Sequence, residues 1–154
     1  MNVKKTKAMV FSANGKDYDP TNAVISINNV VVEHVTQTKF LGVIIDRRLL
    51  WNEHVKYISG NISKNIGLLW RAKYKLGMKA LLTLYNTLIL PYLQYCIIVW
   101  GKTNKTILTR LYKLQKKAIR IITFSDRLAH TDKLFEKMSI MKLGVFCFHI
   151  YVQL

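Results

Sequence analysis

Two periods of hydrophobic recurrence divide the chain. Through residue 46 the apolar positions come in short runs bounded by turn formers, a pattern that predicts strands. Lys7–Ser12 is the first run, followed by the turn-rich Ala13-Asn14-Gly15-Lys16 and the loop Asp17–Asn22. Ala23–Ile27 and Val30–Val35 are β-branched runs on either side of Asn28-Asn29. Asparagine tolerates the positive φ of a two-residue turn, so a tight hairpin is expected there. Lys39–Asp46 reads as one further strand. Together these predict a small antiparallel meander, too small to be stable without another layer on one face.

After Asp46 the period lengthens to that of a helix. Val55, Ile58, Ile62, Ile66 and Leu69 recur at three and four residues, one apolar stripe running to about Tyr74, with Asn52 as N-cap and Gly77 as the stop. Met78–Leu90 reads as a second helix, and Pro91 opens a third that reaches about Trp100. A polar break, Gly101–Lys105, leads to a helix over 106–124. Thr131 caps a short helix through Met138, and a last apolar helix starts near Met141. The fold class is therefore α+β: a strand segment over residues 1–50, then a helical bundle over 51–154. The first residues open as though cut into a strand and the last helix meets no stop signal, so a fragment is expected.

Charge changes the picture more than composition does. The 154 residues are 51% hydrophobic, enough for a packed core, yet carry 24 Lys plus Arg against 8 Asp plus Glu, a formal +16. Such an excess attracts polyanions: nucleic acid, or an anionic membrane surface. A merely solvated basic surface is the plainer alternative. Between Lys102 and Arg120 there are seven basic residues and no acid. At about 100° per residue, Ile107, Leu111, Leu114, Ala118 and Ile121 share one face, and Arg110, Lys113, Lys117 and Arg120 an adjoining one. With Lys116, that cationic ridge can neutralise phosphates and release their counterions. A membrane surface or a calmodulin-like groove would also accept a basic amphipathic helix. A second basic set, Lys64, Arg71 and Lys73 with Lys75 and Lys79, surrounds Trp70 and Tyr74. Those rings can stack on bases, but core packing or cover for lysine stems is the commoner use of such spacing and is expected of Trp70.

Other chemistry is sparse. The acids are Asp17, Asp19, Glu33, Asp46, Glu53, Asp126, Asp132 and Glu136, and no pair has the strand context of carboxylates converging on two metal ions. His34, His54, His130 and His149 lack metal-ligand spacing, and Cys96 and Cys147 suit buried thiols in a reducing compartment. No signal-peptide pattern opens the chain. From Ala80 to Gly101 no residue is charged, a length that could span a bilayer. The embedded Asn86, Gln94, three tyrosines and Pro91 fit buried helices broken at the proline better.

Three blocks, in order, resemble one family. Asn2-Val3-Lys4-Lys5-Thr6-Lys7-Ala8-Met9-Val10-Phe11 is similar to motif D of the reverse transcriptases of non-LTR (jockey and LINE-type) retrotransposons. Lys39-Phe40-Leu41-Gly42-Val43, with Ile45-Asp46, Leu50-Trp51, His54 and Ile58, resembles their motif E and the start of the thumb. Leu84-Tyr85, Leu88-Ile89, Pro91-Tyr92, Tyr95, Val99-Trp100-Gly101 and Gln115–Ile122, with His130 and Leu134-Phe135 later, look like the thumb itself. The resemblance implies that Lys5 lies near the leaving pyrophosphate, that Phe40, Leu41 and Gly42 form the primer-grip turn that positions the primer 3′ end, and that the helix of Arg110–Arg120 braces an RNA–DNA or DNA duplex. It implies Mg2+ for the intact parent enzyme but no cofactor here. The aspartate strands of motifs A and C would lie upstream of Met1 in the missing fingers and palm, so this chain is expected to be inactive alone. The expected setting is intracellular, in nucleus or cytoplasm, with no membrane favoured.

Overall fold

The computed structural model describes residues 6–11 and 24–144. The chain divides into two compact units, Met1–His54 and Val55–Leu154. The architecture is α+β, as the two periodicities predict.

Among its described residues the first unit holds six short strands: β1 (Lys7–Ala8), β2 (Ser26–Ile27), β3 (Val30–Val31), β4 (Glu33–His34), β5 (Gln37–Phe40) and β6 (Val43–Asp46). Asn28 and Asn29, at φ 50° and 59°, close the β2–β3 hairpin with the two-residue turn their chemistry favours. The region expected as one strand over Lys39–Asp46 is instead a second hairpin, β5–β6, turning at Leu41 (φ 46°) and Gly42 (φ 84°). Its apolar run conceals the reversal, because only Gly42 signals it. Among the described residues the expected meander is likewise replaced by three two-stranded pairings. Each tight turn satisfies its own local ladder, and β1 pairs in parallel with β4, Lys7 opposite Glu33 and Ala8 opposite His34.

Asp46 joins the strands to the first helix. Its carboxylate accepts hydrogen bonds from the backbone N–H groups of Arg48, Leu50 and Trp51, at 3.1, 3.1 and 2.9 Å. That holds a loop in which Leu49 and Trp51 both take positive φ. Asn52, expected as an N-cap, is already the first helical residue. Behind this loop His54 is buried, and its Nδ1 accepts from the Ile44 N–H at 3.3 Å. Burial lowers the His54 pKa from its ordinary value near 6.5, because desolvation penalises the charged imidazolium.

The second unit is helical: α1 (Asn52–Ala72, begun in the first unit), α2 (Met78–Leu88), α3 (Leu90–Gln94), α4 (Ile97–Trp100), α5 (Lys105–Ile122) and α6 (Asp132–Lys137). Every residue of the predicted α1 stripe is buried, from Val55 through Leu69. The expected third helix is split after Gln94, where Tyr95 becomes extended and Cys96 takes φ 51°. The buried Trp100 holds that corner, its Nε1 donating to the Tyr95 carbonyl at 2.8 Å. Gly101 then ends α4 where a Cβ would collide with the Ile97 carbonyl, so only glycine fits. With Leu81, Tyr85, Ile89, Leu93, Ile97 and Trp100 all buried, the uncharged stretch is core. Among the described residues no helix is long and apolar enough to cross a membrane. Thr131 stands at the α6 N-cap position but its side chain makes no capping bond. The last helix expected from Met141 falls almost entirely outside the described residues.

Candidate nucleic-acid interface

Helix α5 is positioned by its polar and apolar faces together. Asn104 caps it, its side-chain oxygen accepting from the Thr106 N–H at 2.9 Å. Leu111, Ala118, Ile119, Ile121 and Ile122 are buried, whereas the expected core residues Ile107 and Leu114 are only half-buried. Gln115 occupies the core instead. Its Nε2 donates to the Tyr85 hydroxyl and to the Met141 carbonyl, each at 3.0 Å, and its Oε1 accepts from the Leu143 N–H at 2.9 Å. A buried amide with three partners fixes the rotation of α5 against α2 and the 141–143 segment. Desolvation raises the Tyr85 pKa, partly offset by its hydrogen bond with Gln115.

That rotation turns Arg110, Lys113 and Lys117 outward, exposed and in no ion pair with a described acid. Arg120 is half-buried and donates from Nε to the Ala129 carbonyl at 2.9 Å, so it also holds the turn after α5. Lys116 lies on another side, its ammonium 4.5 Å from the centre of the Tyr112 ring, which in turn stacks on Phe135.

The cations line a trough more than a ridge. One groove, of about 800 Å³, lies between Lys56, Ser59, Gly60 and Ser63 of α1 and Lys105, Arg110 and Lys113 of α5. A second, of about 910 Å³, lies between Ser63, Gly67, Trp70 and Lys73 on one side and Lys113, Lys117, Arg120, Phe124 and Arg127 on the other, with Asp126 the one carboxylate in its lining. They share Ser63 and Lys113 and run into one another. Small residues at 59, 60, 63 and 67 keep the α1 wall low, and a Cβ on Gly60 or Gly67 would meet nothing within 4 Å. Of the second basic set, Lys73 lines the trough while Lys64 and Arg71 do not. Trp70 is not core: it is 48% exposed, with the Lys73 ammonium 3.9 Å from its ring centre. Lys56 and Arg127 escape a reading confined to the acid-free helix, as does the small-residue stripe. The recurrence of Ser59, Gly60, Ser63 and Gly67 at helical spacing is the signal that would have found the stripe.

Comparison with known proteins gives this geometry a context. Over 132 residues, 80% of the chain, the sequence is 28% identical to the RNA-directed DNA polymerase from mobile element jockey of Drosophila funebris. It is 31% identical over 103 residues, 64% of the chain, to the probable RNA-directed DNA polymerase from transposon X-element of Drosophila melanogaster. A third match, 29% over 111 residues, is the probable RNA-directed DNA polymerase from transposon BS of the same fly. The chain is similar in sequence to part of the jockey-type RNA-directed DNA polymerases. It spans only 14%, 11% and 12% of the length of these three relatives, respectively. No family model and no solved structure matches the chain.

The blocks that resemble jockey-type motifs fall at distinct places in the fold. Phe40 and Leu41 stand exposed at the β5–β6 turn, 62% and 73% accessible, with Gly42 completing it. The thumb-like block supplies Tyr85, Trp100 and Gln115 to the core and Lys116, Lys117 and Arg120 to the surface of α5. Lys5 lies outside the described residues. Among those described, no three His, Cys, Asp or Glu side chains gather as a metal site would require.

Proposed function

We propose that this chain supplies the template–primer grip of a jockey-type reverse transcriptase, with α5 as a thumb helix against the nucleic-acid backbone. The observation that carries the reading is the exposed, acid-free row Arg110, Lys113 and Lys117, set in a trough that also gathers Lys56 and Lys105. Ammonium and guanidinium groups without carboxylate partners bind phosphates by displacing counterions, which gives affinity without sequence preference. Arg120 extends the row, Lys116 adds charge on another side of α5, and Lys64, Arg71 and Lys73 add charge along α1 and just past its end. In the same reading Phe40, Leu41 and Gly42 place the primer 3′ end, and Lys5 assists the leaving pyrophosphate. The described residues do not fit the Mg2+ ions of nucleotide addition, so that chemistry is assigned to the family's palm and fingers, this chain's partners in the intact enzyme. A nucleic-acid partner sets the protein in nucleus or cytoplasm.

The test is binding of the full chain to a labelled RNA–DNA hybrid at increasing salt. Affinity should fall by about two orders of magnitude or more between 50 and 200 mM salt. The double change Lys113→Glu with Lys117→Glu should weaken low-salt binding at least tenfold at an unaltered melting temperature. Binding indifferent to both would remove the reading.

A further inference from the structure

We infer that the α1–α5 trough takes a single polynucleotide strand that leaves the duplex, with an unpaired base held at its Trp70–Phe124 end. The inference rests on the duplex grip just proposed and assigns a further ligand to the same surface. Three independent features point to it. The first is shape: the cations stand along a depression whose α1 wall carries Gly60, Ser63 and Gly67, and a narrow strand follows such a groove more closely than a duplex does. From Lys56 to Lys73 the trough runs about 25 Å at the helical rise, room for several nucleotides.

The second is a pair of aromatic rings at one end. Trp70 and Phe124 line the same groove from its two walls and are 48% and 51% exposed. Phe124 is held there at a conformational cost. It follows α5 at φ 53°, the left-handed position where helices usually place glycine, with the Ser125 N–H bonded to the Arg120 carbonyl at 3.0 Å. A β-carbon is strained at that φ, so the local backbone gains nothing from phenylalanine there. Rings beside cations are the usual platform for unpaired bases, since every base has a π-face. The third is Ser59, which lines the opposite end. It is 8% exposed and its Oγ makes no hydrogen bond. That hydroxyl is buried just under the groove surface, and a rotation of its side chain toward the groove would let a phosphate oxygen between Lys56 and Lys105 accept from it.

The experiment compares the full chain's affinity for a blunt RNA–DNA hybrid and for the same hybrid with a six-nucleotide single-stranded overhang. The overhang should tighten binding about tenfold or more. Trp70→Ala should abolish that advantage and Trp70→Phe should keep most of it. Phe124→Gly should move two readouts in opposite directions, raising the melting temperature while reducing the overhang advantage. Ser59→Ala should weaken overhang binding several-fold without lowering the melting temperature. Equal affinity for blunt and overhanging hybrids overturns the inference and leaves the duplex grip standing. So does an advantage that survives both Trp70→Ala and Phe124→Gly. Failure to bind either hybrid at low salt overturns both.

Discussion

Gln115 and His54 show how single polar residues set the two units. Gln115 sits in a stretch that reads as a cationic helix, and its neighbours Lys116 and Lys117 suggest one more surface position. It is the core that claims it, because Tyr85, Met141 and Leu143 present a hydroxyl, a carbonyl and an N–H that only an amide can serve together. Sequence periodicity carries no trace of such a partner set. Gln115→Leu should therefore destabilise the chain by about 2–3 kcal/mol, and Tyr85→Phe by about 1 kcal/mol, measured by urea unfolding. His54 carries a prediction with a definite sign. Its folded-state pKa lies below the unfolded value, so the neutral ring stabilises the fold fully above about pH 6.5. That contribution is lost as pH falls from there through the folded pKa, when protonated Nδ1 can no longer accept from Ile44. Melting temperatures should drop between pH 7 and 5, and His54→Gln should flatten the drop.

At the scale of elements, legibility followed the strength of the period. The α1 stripe Val55, Ile58, Ile62, Ile66, Leu69 is visible at a glance because 21 residues of helix repeat it. The Asn28-Asn29 hairpin is equally plain, since its turn needs positive φ at both positions and asparagine supplies it. The β5–β6 hairpin is hidden from periodicity, though not from the family resemblance, because Leu41 accepts a positive φ that its chemistry does not advertise. The corner at Cys96 is hidden for the same reason. The candidate site was half legible: the acid-free row on α5 stands out in the sequence, but the wall facing it is marked only by a recurrence of small residues. Charge marks one side of the trough, while the absence of side-chain bulk marks the other. Bulk-free positions within a helix lower its own stability, which yields a prediction. Gly60→Ala and Gly67→Ala should each raise stability by about 0.5–1 kcal/mol in thermal melts, since neither methyl meets a neighbour.

For the whole molecule, the +16 charge and the trough make different demands. Net charge alone draws the chain toward any polyanion, whereas the trough fixes which cations touch it. The two separate in the salt dependence of hybrid binding. Lys113→Ala with Lys117→Ala should reduce the slope of log affinity against log salt by about 1.5–2, the loss of two phosphate contacts. A same-charge change remote from the trough, Lys137→Ala with Lys133→Ala, should leave the slope within about 0.5. The parallel β1–β4 pairing has a consequence in time as well as in space. It joins Lys7 and Ala8 to Glu33 and His34 across residues 9–32, so its formation must wait for a long loop to close, whereas every hairpin and helix nearby forms from adjacent residues. Two register pairs, one further bond from the Val35 N–H to Ala8 and an exposed Lys7–Glu33 ion pair reward that closure. The strand carrying the end of the motif D–like block is thus the last to lock and the first to open. Amide exchange at Val35 should outpace that at the β5–β6 amides, making β1 a slow latch on a unit whose other parts fold fast.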